Sequence, residues 1–531
     1  MSLPQGRDLP WAGYRKIPER LNITREVLHR RVEQGLGERP ALVYEEGMLT
    51  YGELEHRVDG LARGLKRLGL KRGDLVLIRM PNSPEFAVGF LATVKLGALP
   101  VIVNSLLGTS ELAVILHNAR PRMALTEVSR AESLREILRS NPIEKVICAR
   151  GAEKGEVSFE SLLEQEGERL ETEDTSASDP AFIVYTSGTT GRPKGIVHAH
   201  RWIVALGDLN RLRLPPEEGD VIMATGEWSF ISALGHNLLF PLRNGVSGAI
   251  LSGRATPENL LATMERHRVT VLYSVATVYR RLLAVKDFEK HYDLKSLRCV
   301  NATGEALREV TYREWKKRVG CEIFEHYGVS EYQLVVGQGP GQPVKPGSIG
   351  RPLCGVGITI LDVNFRPVPQ GGVGSLVISA ADPGLFIGYY KDPERTSASF
   401  RGGWFHTGDL ATQDEDGYFF VAGRMDDCFK SRGIFISPAE VEDALQDHPA
   451  VVETAVVPEP DPEIGNRIRA IVVLEEGHDP SSDLAEAIRE FLRTRIAPFK
   501  VPHRIEFTQA LPKSPVGKIL RSELTKSKGR W

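Results

Sequence analysis

Glycine, threonine and lysine are concentrated in one stretch of the sequence, YTSGTTGRPKG at residues 185–195. The short apolar run 181–185 leads into it and predicts a strand followed by a loop. In such a loop, glycines let backbone N–H groups turn toward an anion, hydroxyl groups add donors, and Lys194 adds a mobile positive charge. The stretch has neither the GKS or GKT ending of a Walker A loop nor a dinucleotide GxGxxG. We predict that it holds phosphate; a flexible surface turn is the alternative.

The chain is long enough for two or more domains and has the composition of an ordinary globular protein. Its 531 residues exceed what one hydrophobic core supports. Hydrophobic residues make up 41% and charged residues 26% of the sequence, and the formal net charge is -2. Because nucleic-acid-binding proteins usually show a clear basic excess, this charge argues against nucleic acid as the main partner.

The sequence shows no targeting or membrane segment. The first twenty residues contain no apolar run of the kind that a secretory signal needs. The most apolar stretch, residues 86–103, is interrupted by Lys95 and Pro100 and falls short of a membrane span. Five scattered cysteines without a CxxC pair indicate thiols in a reducing compartment. We therefore expect a cytoplasmic protein with no membrane span and no structural zinc site.

Strand-like apolar runs alternate with helical periodicity through the first four hundred residues. Leu54, Val58, Leu61, Leu65 and Leu68 recur on one helical face, and the run DLVLIRM that follows predicts a buried strand. This alternation is typical of an α/β protein with largely parallel sheets. We expect a large N-terminal domain of mixed and parallel sheets with helices.

Near residue 423 the sequence combines charged residues, glycine and the start of a new helix. Ser437 and Glu440 fit a capping box, and Pro438 suits the first position of a new helix. A strand in NRIRAIVVLEE and an amphipathic helix follow, enough for a small α+β domain. We predict an N-terminal domain at 1–423, a hinge at 424–427 and a C-terminal domain at 428–531.

Further motifs follow the glycine-rich stretch in a fixed order. They are TGEAL at 303–307, EHYGVSE at 325–331, WFHTGDL at 404–410, GRMDD at 423–427 and LPKSPVGKILR at 511–521. Together with YTSGTTGRPKG, they resemble the adenylate-forming superfamily over nearly the whole chain, and other details resemble its medium-chain acyl-CoA synthetases and benzoate or aryl-CoA ligases. The resemblance implies an AMP-forming acid:CoA ligase that uses ATP, Mg²⁺ and CoA. It would form an acyl-adenylate with release of pyrophosphate, and then a CoA thioester with release of AMP.

The resemblance assigns an ATP site residue by residue. Glu331 would hold the Mg²⁺ that bridges the phosphates, Asp409 would bind the ribose hydroxyls, and Arg424 would reach the ribose–phosphate region. Ser330 stands where threonine is usual and keeps the hydroxyl. The other implied ATP contacts are Thr186, Ser187, Gly188, Thr189, Thr190, Gly191, Lys194, Gly304, Glu305, Ala306, Glu325, His326, Tyr327 and Gly328.

The resemblance also implies a mobile C-terminal domain that carries the catalytic lysine. Lys518 would contact the substrate carboxylate and the α-phosphate, a task that suits a compact charge on a flexible stem. Asp426 would be the hinge about which the domain rotates after adenylation. Rotation would withdraw Lys518 and present Arg432, Gly433 and Ile434 to CoA, with Gly433 leaving room for the pantetheine arm.

Two positions depart from the pattern of the relatives. Phe435 stands where many carry an arginine, and Ile464 stands where medium-chain relatives carry an arginine for CoA. Arg432 could compensate at the first position, and Arg467 or Arg469 at the second. The phosphate and CoA contacts therefore stay open at these points.

The acyl pocket implied by the resemblance is mostly apolar and uncharged. An ionic group would be left unpaired there at high cost, so we expect an aromatic, alicyclic or short-to-medium aliphatic acid, without a choice among the three. Core packing is the alternative for each wall residue taken singly. The implied wall residues are Trp228, Phe230, Ile231, Ser232, Leu234, Gly235, Thr303, Gly328, Leu334 and Val335.

Two other functions compete with the ligase. One is an acyl-adenylate synthetase that loads a carrier protein; the other is a silent homologue that only binds nucleotide or acyl ligands. The silent homologue predicts loss of key residues, whereas Lys518, Glu331 and Asp409 are all present. We expect structural roles for His198, His200 and His236, and we leave open the direction of the reaction and whether the chain forms a homodimer.

Overall fold

The computed structural model divides into two compact units. The first comprises Met1–Ile358, Ile378–Phe405 and Gly417–Phe419, and the second comprises Thr359–Val377, His406–Asp416 and Phe420–Trp531. The predicted boundary at residue 423 and the hinge at 424–427 stay predictions. The structure describes residues 16–139, 143–164, 167, 169–187, 193–305, 307–353, 355–432, 434–513 and 519–526.

An eight-stranded sheet carries the strand that precedes the glycine-rich stretch. Its first two pairings are antiparallel and the other five are parallel, so most of it is the parallel sheet that the alternating pattern predicts. In spatial order its strands are Gly388–Tyr389, Pro193–Ala199, Pro180–Ser187, Leu99–Ile102, Leu75–Arg79, Met123–Glu127, Lys145–Ala149 and Val157–Ser158.

A nine-stranded sheet carries the EHYGVSE motif. Its central pairings are parallel, whereas both ends are closed by antiparallel strands. In spatial order its strands are Arg351–Pro352, Tyr332–Gly337, Glu322–Val329, Cys299–Ala302, Val271–Ser274, Val221–Ala224, Ser247–Ala249, Pro40–Tyr44 and Gly47–Thr50.

The helix Tyr51–Arg67 forms as its sequence predicts. The Thr50 hydroxyl accepts from Glu53 N at 3.2 Å, and the Glu53 carboxylate accepts from Thr50 N at 2.8 Å. Four of the five predicted leucine and valine positions are buried, whereas Leu68, which follows the last helical residue, is half-buried. The other α-helices of the first unit are Pro84–Lys95, Thr109–Ala119, Val128–Leu138, Phe159–Leu163, Trp202–Arg213, Ile231–Ala233, Phe240–Asn244, Pro257–Arg266, Ala276–Leu283, Phe288–His291, Glu309–Val319 and Pro393–Ser399, with π-helical segments at Arg25–His29, Val32–Leu36 and Leu234–Leu239.

The second unit contains a small α+β fold of the predicted type. Val451–Asp461 and Gly465–Leu474 pair antiparallel, and Arg504–Phe507 adds in parallel. A hairpin pairs Phe429–Ser431 with Ile434–Ile436. The helices are Pro438–Gln446, Ser482–Arg493, the 3-10 turn Pro498–Lys500 and Arg521–Lys526. Their shared core includes Ile436, Val441, Leu445, Val456, Ile468, Val472, Ile488 and Leu492.

The capping box predicted at Ser437 is wrong, although the helix does begin at Pro438. The Ser437 hydroxyl donates to the carbonyl of Ala422 and makes no capping bond to its own helix. The bond to Ala422 fixes the orientation of the side chain, and in that orientation the hydroxyl oxygen accepts from no N–H of the first helical turn.

A further sheet contains the WFHTGDL motif. Its strands run in the order Ile358–Leu361, Gly374–Ser379, Trp404–Gln413 and Phe400–Arg401, and Phe419–Arg424 also pairs with Trp404–Gln413. The predicted α/β class is therefore confirmed, with a large and a smaller unit. Among the helices that the structure describes, none combines the length and apolar character that a bilayer crossing needs.

A chain of ionisable side chains is buried inside the first unit. Lys95 Nζ bonds to Asp59 and lies 3.0 Å from His29 Nε2, and His29 Nδ1 lies 2.6 Å from Glu55 Oε1. Lys95 and His29 are fully buried. Burial lowers the pKa of His29, and the Lys95 charge adds to this against the opposing Glu55. A neutral His29 accepts from Lys95 and donates to Glu55, so Asp59 alone balances the Lys95 charge directly.

We expect Asp59→Asn to lower the free energy of unfolding by about 3–5 kcal/mol, because it leaves the Lys95 ammonium buried without a carboxylate. The double variant Asp59→Leu/Lys95→Met removes both charges and should recover most of that loss. Urea denaturation followed by tryptophan fluorescence measures both. If Asp59→Asn proves as stable as the double variant or more stable, this role for Asp59 is contradicted.

Candidate active site

Lys194, Glu331 and Tyr389 form one hydrogen-bonded group in the first unit. The Lys194 ammonium and the Tyr389 hydroxyl both donate to Glu331 Oε1, each at 2.7 Å. Lys194 Nζ also lies 4.9 Å from the centre of the Tyr389 ring. Lys194 belongs to the strand Pro193–Ala199 and Glu331 to the turn before Tyr332–Gly337. The fold thus joins the end of the glycine-rich stretch to the EHYGVSE motif.

The electrostatics of this group keep the carboxylate charged and the phenol protonated. Burial opposes ionisation of Glu331, but the Lys194 charge and the bonds from Lys194 and Tyr389 outweigh it and lower its pKa below the usual range. Burial, with the Glu331 charge, raises the pKa of Tyr389 well above its ordinary value. Tyr389 is therefore a permanent donor to a permanent carboxylate at neutral pH.

Glu331, rather than a dedicated cluster of metal-binding side chains, is the candidate ligand for Mg²⁺. Mg²⁺ in nucleotide sites is held by one or two carboxylates together with substrate phosphates and water. Glu331 is a buried, ionised carboxylate beside a lysine that follows a phosphate-type loop. Across the described part of the chain, no group of three or more His, Cys, Asp and Glu could hold a metal ion.

Two acidic residues of the predicted adenine region, Glu305 and Glu325, accept hydrogen bonds from backbone N–H groups. Glu305 accepts from the backbone N and the hydroxyl of Thr277, at 2.7 and 2.8 Å. Glu325 is buried and accepts from Leu307 N at 3.1 Å and Gly347 N at 2.8 Å. Burial raises the pKa of Glu325 to about 8. Glu325 ties the TGEAL motif to the loop before residue 348; its predicted contact with ATP stays a prediction.

Glycine is required at two positions of this region. Gly304 has φ +83, which side chains rarely adopt. A Cβ on Gly328 would lie 1.8 Å from the carbonyl oxygen of Gln333, so no other residue fits without moving the hairpin. Tyr327, which precedes Gly328 in the EHYGVSE motif, is half-buried.

The three histidines expected to be structural are all buried. His198 Nε2 lies 3.0 Å from the Ser330 carbonyl, and His200 Nδ1 accepts from Ile23 N at 3.2 Å. His236 Nδ1 lies 2.9 Å from the Ser232 carbonyl. Burial lowers the pKa of His198 and of His200 to about 4 and that of His236 to about 3. Each stays neutral at physiological pH, so none supplies charge to the site.

The second unit holds the predicted ribose and hinge residues. Arg424 Nη1 donates to Asp409 Oδ1 at 3.0 Å, and Asp409 is buried. Asp426 is exposed. Asp409 and Arg424 are 15 residues apart in the sequence, and the structure brings them together.

Two of the predicted CoA residues, Arg432 and Ile434, lie where the strands of a hairpin in the same unit meet. Arg432 and Ile434 are exposed, and Arg432 N donates to the Ile464 carbonyl at 2.9 Å. Of the two arginines that could replace the missing one at Ile464, Arg469 is buried beside Glu506. Arg467 is 55% exposed beside Asp461, which makes it the more accessible of the two.

Several wall residues of the predicted acyl pocket are tightly packed. Trp228 is fully buried, with its backbone N bonded to Asn82 and its ring N–H bonded to Asn237. A Cβ on Gly235 would lie 2.3 Å from Gln333 Nε2. Ile231, Leu234, Leu334 and Val335 are buried, Ser232, Thr303 and Gly328 are half-buried, and Phe230 is 38% exposed.

Comparisons with known proteins identify the family. Residues 28–390 match the AMP-binding enzyme family, and residues 440–518 match the AMP-binding enzyme C-terminal domain. The chain is 34% identical over 513 residues to a benzoate–CoA ligase of Thauera aromatica, with 96% of each chain covered. This chain belongs to the AMP-binding enzyme family.

Solved structures give the same result for the fold of this AMP-binding enzyme. An anthranilate CoA ligase in complex with anthranoyl-AMP is 31% identical, with a TM-score of 0.89 and coverage of 96% of this chain and 98% of that chain. A benzoate CoA ligase from Burkholderia xenovorans is 29% identical, with a TM-score of 0.86 and coverage of 95% and 100%. The predicted family and fold are therefore confirmed.

Seven predicted site residues lie outside the described residues of this AMP-binding enzyme, and their roles stay predictions. The side chain of Ser187 is likewise not described. The seven are Gly188, Thr189, Thr190, Gly191, Ala306, Gly433 and Lys518.

Sequence reasoning missed Tyr389 as a site residue. The segment GLFIGYYKDPE that contains it supported the resemblance, but nothing in that segment indicates which tyrosine reaches a carboxylate. Strand Gly388–Tyr389 pairs with Pro193–Ala199, and this pairing carries Tyr389 to Lys194 and Glu331. The next residue, Tyr390, is half-buried and, among the described residues, has no hydrogen bond to Lys194 or Glu331.

We expect Tyr389→Phe to reduce kcat for AMP release by about 10- to 100-fold, because it removes a hydrogen bond to a buried charge. The loss should be larger at limiting Mg²⁺, since the variant leaves Glu331 less well fixed. Tyr390→Phe is the matched control and should stay within about threefold of the parent enzyme, as surface-type changes do. Equal rates for both variants at every Mg²⁺ concentration would exclude Tyr389 from the site.

Proposed function

We propose that this chain activates an aromatic carboxylic acid with one ring as its CoA thioester. The reaction class that the sequence predicts, an AMP-forming acid:CoA ligase working through an acyl-adenylate, is confirmed by the named CoA ligases among its relatives. Its co-substrates are ATP and CoA, and its metal is Mg²⁺. The observation that carries the aromatic proposal is the 34% identity to a benzoate–CoA ligase across 96% of both chains.

The Lys194–Glu331–Tyr389 group has the charge arrangement that adenylation needs. The reaction brings a carboxylate to a polyanionic nucleotide, so the barrier depends on neutralising and orienting charge. In our proposal, Lys194 moves its ammonium to the phosphates, and Glu331 provides the carboxylate for Mg²⁺. Tyr389 then keeps Glu331 in place after Lys194 has left it.

The bond changes follow from this arrangement. An oxygen of the acid attacks the α-phosphorus of ATP, and the bond to pyrophosphate breaks. The CoA thiolate next attacks the acyl carbonyl, and the bond to AMP breaks. Neither step needs a nucleophilic side chain, and the buried thiols of Cys148, Cys299 and Cys321 have pKa values raised by burial.

The roles in the second unit stay part of the proposal. Asp409 would bind the ribose hydroxyls, and the 3.0 Å bond from Arg424 supports this because it fixes the carboxylate. Asp426 would be the hinge, and its exposure is compatible with a change in backbone conformation. Arg432 and Ile434 would face CoA, supported by their exposed position where the hairpin strands meet.

An aromatic acid is favoured over an alicyclic or aliphatic one by the relatives. A 3-hydroxybenzoate–CoA ligase of Aromatoleum is 29% identical over 508 residues, with 95% of this chain and 96% of that one covered. Acetyl-coenzyme A synthetase of Bacillus subtilis is also similar, at 32% identity, so an aliphatic acid is the alternative to test. We also propose a cytoplasmic location, supported by the buried free cysteines.

The activity is tested by AMP release from ATP and Mg²⁺ with a panel of acids, with and without CoA. We expect CoA-dependent AMP with benzoate or substituted benzoates, and at least about tenfold lower kcat/KM with cyclohexanecarboxylate and with C4 to C10 fatty acids. Turnover that requires a carrier protein would favour the carrier-loading alternative. ATP binding without AMP from any acid would contradict the proposal.

Lys518 should be needed for one half-reaction only. We expect Lys518→Ala to reduce AMP formation from acid and ATP at least about 100-fold, because a charge at the developing transition state is lost. Conversion of a supplied acyl-adenylate and CoA to the thioester should persist. Lys513→Ala, in the same motif and paired with Glu453, is the control. Equal loss of both half-reactions would contradict a role confined to adenylation.

A further inference from the structure

A layer of buried polar side chains lies beneath the predicted acyl wall in the first unit. Its members, which we call the polar floor, are Arg213, His236, Tyr273, Asn301, His326 and Gln333. The sequence predicted an apolar pocket, and these residues were assigned there to other roles or to none. Their positions and their hydrogen bonds point to a specific kind of substrate.

The sheet places the polar floor directly below the wall. Tyr273 pairs with Asn301 in register, and both strands run parallel. Side chains alternate along a strand, so Asn301 and Thr303 share one face, as do His326 and Gly328. The register Ala302↔Glu325 puts Thr303 beside His326. Asn301 and His326 therefore lie within two residues of the wall positions Thr303 and Gly328.

The helical segments Ile231–Ala233 and Leu234–Leu239 line the same space. Gln333 Nε2 donates to the Ser232 carbonyl at 3.1 Å and lies 2.9 Å from His236 Nδ1. The His236 ring stacks on Tyr273 at 4.1 Å and lies 5.0 Å from the His326 ring. Wall residues Ser232 and Gly235 therefore lie directly against Gln333, a member of the polar floor.

Several floor atoms lack the partners that buried polar groups normally have. Both ring nitrogens of His326, Nε2 of His236, Nδ2 of Asn301 and Oε1 of Gln333 have no hydrogen-bond partner within the described residues. Each of these side chains is at least nine-tenths buried. Because leaving such atoms unsatisfied is costly, a cluster of them in one place indicates a ligand that bonds there.

The floor is positively charged but contains no acid. Arg213 donates to Asn301 Oδ1 at 2.7 Å, to the Gln338 carbonyl at 3.0 Å and to the Tyr273 hydroxyl at 3.2 Å. It makes no ion pair with any carboxylate that the structure describes. Burial, helped by the Arg213 charge, lowers the pKa of His236 and His326, which are therefore neutral. The electrostatic field of the Arg213 charge therefore favours an electronegative ligand atom over a cationic one.

We propose that the polar floor binds a hydroxyl group on the ring of the acid, so that the substrate is a hydroxylated aromatic acid. A hydroxyl both donates and accepts, and the floor offers both kinds of partner. Gln333 Oε1 and one ring nitrogen of the neutral His326 can accept, while Asn301 Nδ2 and His236 Nε2, whose Nδ1 accepts from Gln333, can donate. An amino group would use the acceptors only, and a methyl group or hydrogen would use neither. This inference rests on the proposed function and narrows its substrate.

The test compares kcat/KM for 2-, 3- and 4-hydroxybenzoate, 2-aminobenzoate and benzoate with the full-length enzyme, ATP, Mg²⁺ and CoA. We expect at least one hydroxybenzoate to exceed benzoate by roughly 10- to 100-fold, because the unsubstituted ring leaves buried polar groups unpaired. Benzoate or 2-aminobenzoate equal to or better than every hydroxybenzoate would overturn the inference. Such a result would leave the ligase itself intact, whereas no AMP from any acid would refute the ligase.

His326→Phe separates recognition from packing. Neither ring nitrogen bonds to the described part of the protein, so the change costs no internal hydrogen bond and keeps a ring of similar shape. We expect the hydroxybenzoate-to-benzoate ratio of kcat/KM to fall at least about tenfold. Gln333→Met is a second variant, expected to lower the same ratio.

His200→Phe is the matched control. His200 is equally buried but bonds to Ile23 N, outside the polar floor. It should leave the hydroxybenzoate-to-benzoate ratio unchanged, whatever it does to stability. An unchanged ratio in both His326→Phe and Gln333→Met would overturn the inference. A ratio that falls in these two variants and not in the control would establish it.

Discussion

One carboxylate oxygen, Glu331 Oε1, organises the site of the first unit. It accepts from Lys194 and from Tyr389 at the same distance, 2.7 Å. A buried carboxylate is tolerated only when it is paired and hydrogen-bonded, and here one partner is charged and one is neutral. The neutral donor matters for function, because it stays with Glu331 when a mobile ammonium turns to phosphate.

The two sheets of the first unit supply the rigid support for this arrangement. Strand Gly388–Tyr389 joins the edge of the eight-stranded sheet and delivers the phenol, while a tight hairpin of the nine-stranded sheet delivers Glu331. The hairpin closes only because Gly328 has no side chain to meet the Gln333 carbonyl. The same hairpin carries His326 and Gln333 into the polar floor. In our proposals, activation and substrate recognition therefore share one structural element.

Sequence reasoning succeeded where function lies in short, ordered motifs. Lys194 and Glu331 were each predicted from a motif, and the fold brings the two side chains together; their roles toward ATP and Mg²⁺ stay predictions. Tyr389 could not be predicted, because its contact depends on pairing between strands far apart in the chain. The polar floor was missed for a similar reason: His326 and Asn301 are ordinary in sequence, and only the sheet register shows that they share one buried face. The Ser437 cap failed because a distant carbonyl competed for its hydroxyl.

The proposed function depends on one step, the formation of an acyl-adenylate from an aromatic acid. The most direct measurement of this step is exchange of labelled pyrophosphate into ATP in the absence of CoA, with each hydroxybenzoate and with benzoate. We expect exchange that requires the acid and Mg²⁺, because adenylation is reversible before any thiol enters. Bound ATP with no acid-dependent exchange for any aromatic acid would contradict it.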